Sequence, residues 1–461
     1  MRNLIVLCVP GLSPRHIGPS TPHLDALARR GAARPLRTVL PAVTCTMQST
    51  LLTGLPPRDH GAVANGWYFR NLGEIHFWRQ SVRLVAGERV WEAARRRDPG
   101  FTCANLFWWY AMPSTADISV TPRPMYLADG RKLPDIWASP PGLREQLTAA
   151  LGTFPLFQFW GPATTIASSR WIAACALHVR RASAPTLTLV YLPHLDYDLQ
   201  RLGPDHPTIA IASRDIDAVC GELIADAERD GAGVIVLSEY GIGAVDTPIH
   251  INRALREAGF LRVRKETSGE HLDPAASDAF AVADHQIAHV YVQRPELIPT
   301  VASVIAALPG VEHVASPVER PDWGLDHPRS GELIALAAKH AWFTYYHWLD
   351  DAQAPDYART VDIHRKPGYD PVELFLDPAI KAPKLAVGWR LAKRSLGFRV
   401  LMDVIPLDAR LVRGSHGRPA DDDAAGAIVI SSEPDLPPRP IEATEVKSLM
   451  LSHLFPGSNI P

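Results

Sequence analysis

The apolar positions of this chain fall into short unbroken runs separated by longer stretches of helical period. Residues 4–9, 186–192 and 234–237 are runs of Leu, Ile and Val with little polar interruption. Such runs suit strands buried on both faces of a parallel sheet. Between them the spacing lengthens. Thr21 and Pro22 open a segment with Leu24, Leu27 and Ala28 on one face and a stop at Gly31. Residues 165–181 align Ile166, Ile172, Ala173 and Leu177, and residues 205–231 align Ile209, Ile216, Val219 and Leu223. Further helices are expected over 88–97 and 142–151, with a strand over 101–109. The aromatic-rich stretch 67–78 reads as a loop over the mouth of a site, its rings either stacking on a ligand or lining a packed interface. Strands alternating with helices predict an α/β protein, its central sheet mostly parallel and covered on both faces.

The second half departs from this rhythm. A helix over 251–260 is followed by strand-like runs at 279–283 and 288–293, a helix over 295–308 and another strand over 332–337. An apolar strand at 427–430 and a helix at 443–454 then close the chain. The organisation expected is a core begun by residues 1–248, an inserted α+β cap region at 249–344, and a closing part of the core at 345–461.

Composition narrows the function only modestly. With 461 residues, 46% of them hydrophobic, 21% charged, and a net charge of −2, the chain can bury a large core and lacks the basic excess of a nucleic-acid binder. The cysteines are odd in number (Cys8, Cys45, Cys103, Cys175 and Cys220) and lie mostly in apolar runs, which suggests reduced thiols and a cytoplasmic protein. The first apolar run is short and precedes Pro10 and Gly11 without a cleavage site, so a first strand fits better than a signal peptide. No apolar run approaches the roughly 20 residues of a membrane span. No nucleic-acid or membrane partner is expected, and a homo-oligomer remains open.

Candidate chemistry centres on residues 41–65, PAVTCTMQSTLLTGLPPRDHGAVAN. Pro41 ends what precedes it, Thr44 stands where a helix begins, and Gly54 with Pro56 and Pro57 ends that helix. A hydroxyl at a helix N-terminus faces free N–H groups and the positive end of the dipole, a place that favours phosphate. It also suits a simple N-cap.

Pro41, Thr44, Leu51, Thr53, Gly54, Pro57, His60, Gly61 and Asn65 form the pattern P-x-x-T, L-x-T-G-x-x-P, H-G and Asn. This pattern resembles the nucleophile segment of the type I phosphodiesterase and nucleotide pyrophosphatase family, in the alkaline phosphatase superfamily. The resemblance implies a three-layer α/β sandwich with a small inserted cap, and a metal-dependent hydrolase of phosphodiesters, pyrophosphates or phosphomonoesters. It makes Thr44 the nucleophile, with one or two divalent ions, zinc or manganese, beside it, and a small phosphorylated molecule the partner. Gln48 stands near the family's phosphate-binding Asn; with Asn65 and Tyr240 it is a candidate substrate contact.

The expected metal ligands are Asp196, Gln200, Glu239, His364 and His416. Asp196, Gly203 and Pro204 match D-x-x-G-H-x-x-G-P, with Gln200 in place of its His. Ser238-Glu239-Tyr240-Gly241 stands where the family has S-D-H-G, and Gly414-Ser415-His416-Gly417 matches G-x-H-G. His364, in the polar run 361–370, is either a replacement ligand or an ordinary residue of a solvated turn. The first family carboxylate is absent: Pro10 occupies its place. A sulfatase is excluded, because Cys45-Thr46-Met47 lacks C-x-P-x-R. The altered ligand set leaves a second reading open, a member of the fold that binds a phosphorylated metabolite or runs metal-independent chemistry.

Overall fold

In the computed structural model, which describes residues 1–457, five of the apolar strands form the parallel centre of a nine-stranded sheet. Gly233–Leu237, Leu4–Cys8, Leu187–Tyr191, Cys103–Leu106 and Ile118–Pro122 lie side by side in that order. Every residue of the first four is buried, as their lack of polar alternation requires. Ala427–Ser431 adds antiparallel to Gly233–Leu237 and carries Ala32–Arg37 and Ile441–Glu442 beyond it; Ile136–Ser139 closes the other edge. The helices Pro22–Arg30, Ala167–Ser183 and Ile209–Arg229 pack together on one face, while Thr44–Thr53, Val90–Arg97 and Val446–Leu454 pack on the other. The result is the α/β three-layer arrangement expected, with the closing segment feeding strands back into the main sheet.

A second sheet is antiparallel, in the order Ala279–Asp284, Ile287–Val292, Leu333–Ala337, Val311–Ala315, and is backed by Ile251–Glu257 and Ile298–Ala306 around its own apolar cluster. Three local expectations change. The aromatic stretch is a β-hairpin, Gly66–Phe69 with Glu74–Phe77, with Tyr68 and Phe77 packed in the cluster of the second sheet and Trp67 buried in a neighbouring cluster. The strand over 101–109 is only Cys103–Leu106, because the backbone leaves the sheet at Phe107, which has a positive φ of 70°. The helix expected over 251–260 ends at Glu257, and Asp196 lies in the first turn of the helix His194–Leu202. All five cysteines are free and buried. Among the described residues, no helix is long and apolar enough to cross a membrane.

Candidate active site

The carboxyl ends of the parallel strands deliver the candidate residues, as open α/β sheets generally do. Glu239 and Tyr240 follow Gly233–Leu237, Asp196 follows Leu187–Tyr191, and Thr44 begins the helix Thr44–Thr53. Val43, not Thr44, occupies the N-cap of that helix, and its extended backbone leaves Thr44 as the first helical residue. The Thr44 hydroxyl is therefore free of cap duty. Gly54 ends the helix in the left-handed conformation (φ 73°), which explains why glycine follows the threonine there.

Thr44, Asp196, Tyr240, His285 and His416 line one cavity of about 2010 Å³. Thr44 Oγ1 lies 3.2 Å from the Tyr240 phenol oxygen, and that phenol donates to Asp196 Oδ1 at 3.3 Å. Gln200 donates to Asp196 Oδ2 at 2.7 Å and accepts from the Tyr369 hydroxyl at 3.0 Å. The Tyr369 ring stacks on His285 (3.8 Å), His285 lies against His416 (3.6 Å), and His416 lies flat on Tyr240, 3.5 Å away and 7° from parallel. Six side chains thus close a ring. The segment bearing His416 fits tightly: a side chain at Gly414 would meet the Leu199 carbonyl oxygen at 2.1 Å.

Burial sets the charges in this ring. It pushes the Asp196 carboxyl up to about 7, against the opposing hydrogen bonds from Gln200 and Tyr240. It pushes Glu239 up to about 8, against bonds from Gln48, Cys8 and Thr44. The Tyr240 phenol is raised well above its usual range by burial and by the two nearby carboxyls, so it stays neutral. His416 is lowered to about 3 by burial, offset only in part by the Ala42 carbonyl that its Nδ1–H meets at 2.8 Å.

Several expected contacts are committed elsewhere. Gln48 donates to Glu239 Oε1 and accepts from the Trp109 backbone at 2.7 Å, and it does not line the cavity. Asn65 accepts from the Cys45 backbone at 2.9 Å and donates to Asp284 at 3.1 Å, fixing the start of the threonine helix rather than facing the cavity. Of the three expected substrate contacts, only Tyr240 lines the cavity. His364 lies on the cavity wall with its Nδ1 3.3 Å from the Phe77 carbonyl. The polar run around it is organised by Lys366, which is 1% exposed and pairs with Asp370 and Glu373 at 2.7 Å each.

The donors expected to hold a metal do not fit one. Among the described residues, no three His, Cys, Asp or Glu side chains are gathered so as to hold a metal ion. The causes are local. Pro10 offers no ligand, a neutral phenol replaces one imidazole, and both ends of the Gln200 amide are bonded. His364 is held at the wall, leaving Asp196 and His416 with Tyr240 between them. Glu239 Oε2 is buried without a partner, but a single orphan oxygen is not a ligand set. The site residues that sequence reasoning missed are His285 and Tyr369. His285 has a positive φ of 60° in the turn between Ala279–Asp284 and Ile287–Val292. The signal for it was an Asp-His pair between two apolar runs.

Comparison with known proteins bears on the family and the fold. Residues 4–370 match the family described as type I phosphodiesterase / nucleotide pyrophosphatase. An uncharacterized pyrophosphatase/phosphodiesterase of Schizosaccharomyces pombe is 26% identical over 238 residues, which span 48% of this chain and 41% of that relative. The chain thus spans about two fifths of the length of the curated relative it matches. Phosphonoacetate hydrolase of Sinorhizobium meliloti, bound to phosphonoformate, superposes with a TM-score of 0.61 at 16% identity, covering 98% of this chain and 95% of that one. Murine ectonucleotide pyrophosphatase / phosphodiesterase 5 superposes with a TM-score of 0.60 at 15% identity, covering 100% and 96%. The murine protein is also known as an inactive threonine-to-alanine form in complex with AMP, at 14% identity, a TM-score of 0.60 and the same coverage.

Proposed function

We infer, on the premise that this chain belongs to the type I phosphodiesterase / nucleotide pyrophosphatase family, that it hydrolyses a phosphodiester, pyrophosphate or phosphomonoester with Thr44 as the nucleophile. The observation that carries this reading is the Thr44 hydroxyl, released from capping and placed inside the cavity within reach of Tyr240 and Glu239. The inactive threonine variant of the murine neighbour, solved with AMP, supports the same assignment. Arg79, Arg123 and Lys132 line the cavity and suit an anionic substrate.

In this reading Glu239 takes the proton from Thr44 Oγ1 as that oxygen bonds to phosphorus and the leaving-group oxygen departs. The Tyr240 phenol hydrogen-bonds a phosphoryl oxygen, and the N-terminus of the threonine helix adds its dipole. Water then cleaves the phosphothreonine and frees the phosphoryl group.

Members of this family generally use divalent metals. The residues here do not fit the one or two zinc or manganese ions expected, so no step is assigned to an ion. Treatment with a chelator and re-addition of Zn²⁺ or Mn²⁺ is expected to leave the melting temperature within about 1 °C. An ion bound at a hundred times its dissociation constant would instead add about 2.7 kcal/mol of stability. A rise of several degrees with either ion would overturn the reading of the donor set.

Glu239 also gives the activity a direction with pH. A base held near 8 must lose its proton to act, so kcat/KM is expected to rise with pH and level off above about 8. Glu239→Gln should remove that rise and lower kcat by roughly 10²–10⁴-fold. A wild-type profile that is flat or falls over this range removes Glu239 as the base. The replaced donors also favour a second reading, a cleft that binds a phosphorylated metabolite without turnover. Aryl phosphates and phosphodiesters, tested with and without added metal, separate the two.

A further inference from the structure

The helix Pro383–Ser395 buries none of its residues. Leu385, Trp389, Ala392 and Leu396 recur at helical spacing along its outer side, and Leu385, Trp389 and Leu396 are 77%, 64% and 75% exposed. Its opposite side, with Val387, Leu391 and Arg394, lines the mouth of the cavity that holds Thr44. Among the described residues the chain exposes fifteen large apolar side chains, and seven lie between Leu376 and Leu401. Tyr126 and Phe157, exposed on the same mouth, extend the patch. Clustering of this kind marks an interaction surface rather than the scattered exposure of an ordinary soluble face.

Charge identifies the occupant. Residues 381–399 carry Lys381, Lys384, Arg390, Lys393, Arg394 and Arg399 and no acidic side chain, in a chain of net charge −2. Among the described residues only Arg390 of these has an ion-pair partner, Asp403 at 2.7 Å. Lys384 and Lys393 flank the apolar stripe by helical position, where long side chains keep their charge in the headgroup layer while the stripe sinks below it. A second copy of the chain would set six cations against six. A nucleic acid would leave Leu385, Trp389 and Leu396 in water.

We propose that the segment 381–401 is a docking surface for an anionic lipid bilayer, with the helix Pro383–Ser395 lying in the plane of the interface. Docking would set the helix between the bilayer and the mouth of the cavity. The sequence expectation of no membrane partner rested on the lack of a spanning run, and surface docking needs only a stripe. The proposal does not rest on the hydrolytic reading, because it is tested by binding alone.

The test is co-sedimentation of the full-length protein with vesicles of phosphatidylcholine alone or mixed with phosphatidylglycerol, at low and high salt. The protein is expected to sediment with the mixed vesicles at low salt, and to be released by salt and by loss of the anionic lipid. Leu385→Ala/Trp389→Ala and Lys384→Glu/Lys393→Glu should each weaken binding by roughly tenfold or more. These side chains are exposed, so an unchanged melting temperature checks the fold, and Val318→Ser, an exposed apolar site outside the segment, should bind like the wild type. Failure to sediment at low salt overturns the proposal, as does equal binding to neutral vesicles. Equal binding to duplex DNA, or self-association lost in the same variants, overturns it too.

Discussion

Thr44→Ala is expected to abolish turnover, lowering kcat by at least roughly 10³-fold against any phosphate ester the wild type cleaves. The side chain is 3% exposed, and its hydroxyl lies 3.2 Å from the Tyr240 phenol oxygen. Its removal should cost only about 1 kcal/mol of stability, the net worth of such hydrogen bonds. Activity and stability therefore separate: single-turnover kinetics should show no phosphoenzyme, while thermal unfolding stays close to wild type. A variant that still turns over would take Thr44 out of the chemistry and move attention to Tyr240 and water.

Lys366→Met is expected to be the most damaging change to the fold away from the reacting groups. Burial works against the charge of Lys366, yet Asp370 and Glu373 hold its ammonium protonated above the ordinary range. Removing it would leave two carboxyls unpaired, 5% and 1% exposed. Breaking one partner of a buried ion network costs about 3–5 kcal/mol. Glu373 also accepts from the Asp362 backbone at 2.9 Å and from the Trp160 indole, so the loss should spread to the loop bearing His364. Urea unfolding should show the midpoint falling with little change in slope. A loss below about 1 kcal/mol would mean that the carboxyls gain a proton or reach water at small cost.

Much of the main sheet was readable because its strands are buried on both faces. Residues 4–9 and 234–237 carry no polar alternation and residues 186–192 are broken only by two threonines, which suits a covered parallel sheet. The hairpin at residues 66–77 is hard to read in sequence because Trp67, Tyr68 and Phe69 are consecutive and show no period-two alternation, so they suit a loop over a ligand equally well. Thr44 illustrates the limit at the site. Its position at a helix start was plain, but one residue of offset decides between cap and free hydroxyl, and backbone geometry rather than residue type sets that offset.

The ring around Asp196 was hidden for a different reason. Gln200 and Tyr240 were legible only as departures from a ligand pattern. Their engagement depends on Tyr369 and His285, which arrive from residues 169 and 45 positions further along the chain. Patterns local in sequence do not carry such pairings. The basic apolar stripe at 384–396 was legible in principle from its helical spacing, since tertiary packing contributes nothing to it.

His285 sits at a turn of the smaller antiparallel sheet, Tyr240 follows a strand of the larger one, His416 follows the short strand Gly414–Ser415, and the Asn65–Asp284 bonds tie the threonine helix to the smaller sheet. The candidate site is therefore a seam, assembled only when both halves of the molecule are seated. A chain whose large sheet has formed but whose small sheet has come loose would look mostly native to bulk spectroscopy and still lack a working pocket. Catalytic competence would then be the last property gained as the protein matures and the first lost as it ages.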